Sequence, residues 1–297
     1  MNSTFTEKWL QAVIEKESVL CAGLDPADFI MFRGDEGLPE NKSKYDWSLE
    51  YIDAIAPFCA AIKPNIQYWK GKKDLEILSE ICSIAKKTYG LLVIDDSKLA
   101  DIGSTNDAGM FYAKQRADAV TLAPFAGNME EAAKQAKARD FGLIGMCLMS
   151  NPEYETEKNK LIHIPNPDFQ EDYAINDLIY YGQEGFIPQY IKLAHDANEF
   201  GLDGIVIGAP SKKNHIKEEE LKIARAYAGS NMLVLLPGVG AQGGEADAIW
   251  KYFDKNNVIV NVGRGLMFPK GSNSTPKDQK AAAIQYRDML NNLREQH

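Results

Sequence analysis

The sequence predicts a single (β/α)8 barrel, and three observations carry that expectation. Short apolar runs rich in Val, Ile and Leu alternate with longer amphipathic stretches, eight such runs occur, and no linker divides the 297 residues. A chain of that length is within the usual size of one α/β barrel. The runs lie at 19–24, 59–63, 91–95, 119–123, 143–149, 204–207, 233–236 and 258–262. Their near-continuous apolar character suits strands covered on both faces. Helices between them imply parallel pairing through right-handed crossovers. Eight such units point to a closed ring rather than an open doubly wound sheet, and one domain over residues 1–297 is expected.

In chain order, MNSTFTEKWLQAVIEK is amphipathic and carries both charge signs. It lacks the basic region and apolar core of a secretory leader. Helical segments are expected at 47–56, 74–88, 128–138, 191–200, 218–228 and 245–253, with a last one at 276–295 closing the outer ring. Segment 151–177 breaks the pattern: it is polar, holds three prolines and follows the fifth strand. Loops of that length are usually functional or disordered. Loops after barrel strands lie on the catalytic face, so a lid over a substrate is expected.

Composition narrows the class. A formal charge of −9 argues against a sequence-independent nucleic-acid binder, which needs a basic face, but leaves room for a small anionic substrate held by a few local cations. No apolar run approaches the roughly 18 residues of a membrane span, so a cytoplasmic protein is expected. Cys21, Cys59, Cys82 and Cys147 all sit in apolar runs without a C-x-x-C pair and read as small buried hydrophobes. His163, His195, His215 and His297 show no zinc-site spacing.

Functional residues of a barrel gather where its strands end. Those positions are Asp25, Lys63, Asp96 with Lys98 and Asp101, Ser150, Gln242 and Arg264. The densest cluster is IDDSKLADIGST. Asp96 and Lys98 are two apart, so an extended strand end points both to one side, with Asp95 and Ser97 on the other. Ser104 or Thr105 would cap the next helix. A solvated turn with a helix cap would explain such a string elsewhere. Here it directly follows a buried-type strand, and Lys63 ends the preceding one. A network of two carboxylates and two ammoniums is costly to bury, so stability alone is a poor reason to keep it. A lysine ammonium there can deliver a proton to a carbanion. A fixed carboxylate beside a substrate carboxylate raises the ground state, and the strain is relieved when CO2 departs.

Two glycine-rich turns suit a phosphate. LLPGVGAQGGE follows the seventh strand, and NVGRGL after the eighth supplies Gly263 and the Arg264 guanidinium. Loops after strands seven and eight commonly bind phosphate on this fold.

With these motifs the sequence resembles the orotidine 5′-monophosphate (OMP) decarboxylase family, more closely its longer bacterial branch. The likeness runs over residues 21–267 and includes CAGLDP, AIKPN, the complete D-x-K-x-x-D-I-x-x-T string at 96–105, LPGVGAQGG and NVGRG, in the family's order. The resemblance implies conversion of OMP to UMP and CO2 without metal or organic cofactor. It implies that Asp25 binds ribose hydroxyls and Lys63 links the ribose side to the charged network. Asp96 would face the departing carboxylate, and Lys98 would protonate C6. Asp101 and Thr105 would complete the partner's site in a homodimer. Ser150 would contact the pyrimidine, Gln242 would bridge pyrimidine and phosphate, and Gly263 with Arg264 would hold the phosphate. The sequence departs from compact members in its longer loop after the fifth strand. Its short loop after the seventh carries no tyrosine.

Two rival readings remain at this level. A sister decarboxylase acting on a sugar phosphate such as 3-keto-gulonate 6-phosphate would share the D-x-K-x-x-D frame but need Mg2+. Lys63-Pro64-Asn65 is a poor hard-metal site. A non-catalytic nucleotide-binding barrel has no need of a proton donor facing a carboxylate.

Overall fold

Eight parallel strands close into a barrel in which each sequential strand lies beside the next and the first pairs with the last. The computed structural model describes residues 3–164, 174, 177–181, 184–212, 214–240 and 246–297. The strands are Leu20–Leu24, Ala61–Pro64, Leu92–Leu99, Ala119–Leu122, Gly142–Leu148, Gly204–Ile207, Leu233–Pro237 and Val258–Val262. Closure is made by Leu20 against Val260 and by Cys21 against Ala61. The expected fold class is therefore the observed one. The strands are buried because helices cover their outer faces and side chains fill the interior, which is why they read as unbroken apolar runs.

The helices follow local chemistry. Phe5–Lys16 begins with a capping box between Thr4 and Glu7, and Trp9 Nε1 donates to Asn256 O at 2.7 Å. That helix seals the end of the barrel where strands start. Helices Lys44–Ile55, Asp74–Tyr89, Met129–Ala138, Gln189–Glu199, Glu218–Ala228 and Pro276–Arg294 match the expected segments. The segment expected at 245–253 supplies only a single described turn, Asp247–Trp250, and Glu245 lies outside the described residues. All four cysteines are free and buried. Among the described residues, no helix is long and apolar enough to cross a membrane.

Two glycines let strand ends approach each other. A Cβ on Gly23 would lie 2.8 Å from Gly263 Cα, joining the ends of the first and eighth strands. A Cβ on Gly208 would lie 2.6 Å from Ser150 Cβ, so only glycine leaves Ser150 its position after the fifth strand.

Segment 151–177 is less irregular than expected. It contains a helix, Tyr154–Lys158, and a strand, Leu161–Ile164, that pairs antiparallel with Glu184–Pro188. Ile179–Tyr181 completes a three-stranded sheet outside the barrel. The chemistry missed at the sequence level is the anchoring of this excursion. Lys158, 1% exposed, binds Glu220 Oε1 at 2.6 Å and His215 O at 2.7 Å. Tyr154 Oη donates to Cys147 O at 2.7 Å. Eleven residues of the expected lid, 165–173 with 175–176, lie outside the described residues. Lys158→Ala strands the Glu220 carboxylate in a nearly dry position, so a loss of about 3 kcal/mol in chemical denaturation is expected. A loss below about 0.5 kcal/mol would show that the pair does not hold the excursion down.

Candidate functional site

The third strand runs on through the charged string, and its pairing with the fourth shifts register between Asp95 and Leu99. Such a bulge re-aims side chains at a barrel rim. Asp96 bridges in parallel to Asn65, directly after the second strand. Lys98 takes φ 50°, a left-handed conformation that a non-glycine residue adopts at a cost. Its backbone N–H is held by Thr121 Oγ1 at 2.9 Å. The strained turn is thus pinned from the neighbouring strand.

The alternation expected from spacing is present. Asp96 Oδ2 meets Lys63 Nζ at 2.5 Å and Asp96 Oδ1 meets Lys98 Nζ at 2.5 Å. Thr121 Oγ1 donates to Asp96 Oδ1 at 3.0 Å. Asp95 and Ser97 face the other way: they hydrogen-bond each other, and Asp95 Oδ2 lies 2.6 Å from Arg116 Nη2. Lys63 and Asp96 are both buried, whereas the Lys98 side chain is 40% exposed.

Burial alone would raise the Asp96 carboxyl, but Lys63 and Lys98 reverse this and hold it well below the usual carboxylate range. Burial alone would lower the Lys63 ammonium, and Asp96 with Asp25 outweighs it and raises the group. Asp25 is raised by burial, against the opposing pull of Lys63 and of the Asn65 N–H, which its Oδ1 accepts at 3.0 Å. The depressed Asp96 contributes stability that is present above the unfolded value of about 3.9 and lost as pH falls through the folded one. The stability gap between wild type and Asp96→Asn is therefore expected to be wide at neutral pH and to narrow below about pH 4. Denaturant titrations of both proteins across that range check it, and a gap that ignores pH would refute it.

Asp25 also lines a cavity of about 380 Å3 shared with Tyr68, Asn261, Gly263 and Arg264. The charged cluster and the glycine-rich end of the barrel are therefore joined through Asp25. Arg264 Nη1 makes a two-pronged contact with Glu36, at 2.7 and 2.8 Å. Ser150 is half-buried at the same barrel end, across the ring from the first strand. Gln242 lies outside the described residues.

Asp101 and Thr105 stand apart from the cluster. Both are exposed, and among the described residues Asp101 makes no ion pair. Its Oδ1 accepts the Ile102 N–H at 2.7 Å. The expected cap by Ser104 or Thr105 is incorrect, because helix Gly103–Lys114 starts at Gly103 after Ile102, with no side-chain cap. Asn106 instead ties the turn, its side chain bonding both the Asp101 N–H and carbonyl. Sequence reasoning also missed Thr121, which sits inside an ordinary apolar run. It missed Arg33 and Glu36 as well, whose long loop mixes the exposed apolar run 29–32 with charged residues and shows no motif.

Residues 18–168 match the model of the orotidine 5′-phosphate decarboxylase / HUMPS family. Orotidine 5′-phosphate decarboxylase of Dehalococcoides mccartyi (strain CBDB1) is 30% identical, with 98% of each chain covered. A putative orotidine-monophosphate decarboxylase of Toxoplasma gondii shares the fold at TM-score 0.75 and 23% identity, over 98% of this chain and 96% of its own. The Methanocaldococcus jannaschii orotidine 5′-monophosphate decarboxylase, complexed with inhibitor BMP, aligns at TM-score 0.62 and 25% identity. That alignment covers 92% of this chain and 98% of the other.

Proposed function

The chain belongs to the orotidine 5′-phosphate decarboxylase / HUMPS family, and from that premise we propose that it converts OMP to UMP and CO2 without metal or organic cofactor. The observation that carries this reading is the alternating Lys63–Asp96–Lys98 row at the strand ends, with a strained and partly exposed Lys98. Local strain and charge burial are kept where they serve chemistry. In this reading Asp96 lies against the substrate carboxylate, and Lys63 keeps Asp96 ionised. Breaking the C6–carboxylate bond releases CO2 and leaves the electron pair on C6. The Lys98 ammonium stabilises that carbanion and then gives it a proton.

The remaining roles follow the same frame. Asp25, fixed by the Asn65 N–H, accepts from ribose hydroxyls, while Gly263 and Arg264 hold the phosphate. Ser150 and Gln242 are assigned to the pyrimidine side. Phosphate and ribose are remote from C6, so their binding energy can serve closure and desolvation at the reacting carbon.

We read the working unit as a homodimer in which Asp101 and Thr105 complete the partner's site. The support is exposed apolar side chains on the turn and helix that follow Asp101: Ile102, Phe111 and Tyr112 are 67%, 52% and 63% exposed. Large exposed apolar groups suit a protein contact. A one-domain barrel over residues 1–297 acting in the cytoplasm accompanies this reading.

Loss of OMP absorbance in the presence of EDTA tests the proposal. Sustained turnover is the expected result. A folded protein that leaves OMP intact, yet decarboxylates a 3-keto sugar phosphate with Mg2+, would replace it with the sister activity.

A further inference from the structure

The bidentate Glu36–Arg264 contact lies in the cavity where the ligand phosphate is assigned, and its partners are 228 positions apart in the chain. Its geometry, two carboxylate oxygens on one guanidinium nitrogen at 2.7 and 2.8 Å, is one that a phosphate would also use. The carboxylate is brought there by a built turn. Gly34–Glu36 forms a short 3-10 turn that packs on the extended segment Pro269–Ser272, just after the helix bearing Arg264. The approach is close: a Cβ on Gly271 would lie 3.2 Å from Asp35 Cβ. The base of the loop is fixed from the other side. Leu38 N–H donates to Ala27 O at 2.8 Å, and the buried Lys44 holds Asp28 at 2.7 Å. One turn further back, Arg33 lines the same cavity, and among the described residues its guanidinium makes no ion pair.

From these observations we infer that Glu36 is a resident anion of the phosphate subsite, which the nucleotide phosphate displaces, and that Arg33 is a second cation for that phosphate. This rests on the reading of Arg264 as a phosphate ligand. The exchange is favourable because a dianion on two guanidinium groups replaces a monoanion on one. Glu36 and Arg264 are both about half-exposed, so parting them costs little. A neutral nucleoside carries no anion for the guanidinium and gains nothing when Glu36 leaves it, so the cost of the exchange falls on phosphate-bearing ligands alone.

The test measures binding of UMP and, by competition at high concentration, of uridine to wild type, Glu36→Gln and Arg33→Ala. All are checked first for unchanged melting. Glu36→Gln is expected to tighten UMP roughly two- to fivefold, the worth of one exposed ion pair, and to leave uridine unchanged. Arg33→Ala is expected to weaken UMP about tenfold, an effect that shrinks in high salt, again without changing uridine. Unchanged or weaker UMP binding by Glu36→Gln would overturn the displacement, since a merely structural Glu36 would lose affinity on substitution. Equal losses for UMP and uridine in Arg33→Ala would overturn the second cation. If wild type binds UMP normally, those failures touch this inference alone. A wild type that binds no UMP overturns both this inference and the functional reading beneath it.

Discussion

Lys98→Ala is expected to lower turnover of OMP about a hundred- to ten-thousandfold, with UMP affinity within about threefold of wild type. The size follows from the proposed role of Lys98 as proton donor to a carbanion. The retention of UMP binding follows from the geometry. Asp25 and Arg264 line the cavity proposed for the nucleotide, whose lining does not include Lys98. Folding should survive as well. Lys98 is 40% exposed, and its removal leaves the buried Lys63–Asp96 contact at 2.5 Å in place. A variant with wild-type turnover would remove Lys98 from the chemistry, whereas one that lost UMP binding equally would make it a ligand of the ground state.

The second large effect concerns Asp101. Asp101→Ala alone is expected to be nearly inactive, as is Lys98→Ala alone, yet an equal mixture after subunit exchange is expected to regain about a quarter of wild-type activity. The arithmetic is that of random pairing. Half of the dimers are hybrids, and each hybrid holds one site with both intact residues and one site with neither. Recovery requires Asp101 to act in the neighbour's site. Among the described residues, the exposed Asp101 carboxylate accepts the Ile102 N–H of its own turn and makes no ion pair with Lys63 or Lys98. A mixture that stays as inactive as its components, although hybrids form, would mean that each chain uses its own Asp101.

Much of this was legible beforehand, and for identifiable reasons. Strand 204–207 and strand 258–262 coincide with their expected bounds, because a strand covered on both faces must be apolar throughout. Asp96 and Lys98 meet as expected because a period of two is a local property of extended chain. Where competing interactions entered from elsewhere, the expectation failed. Helix Gly103–Lys114 starts without a Ser or Thr cap because Asn106 and Asn128 satisfy the Asp101 backbone instead. Segment 151–177 looked irregular because its strand is paired with residues 184–188, far along the chain, and its helix is held by Glu220.

By itself, then, the sequence determined the eight-unit barrel, the rim positions of the charged residues and the side on which Asp96 and Lys98 meet. These follow from periodicity and from strand ends, which depend only on neighbours in the chain. Only the tertiary structure decided that Thr121 would pin the strained Lys98, that Asn65 would orient Asp25, and that Glu36 would occupy Arg264. Each of those contacts joins residues tens to hundreds of positions apart. Nothing in local propensity specifies such pairs, because they are set by barrel closure and by the packing of loops across its mouth.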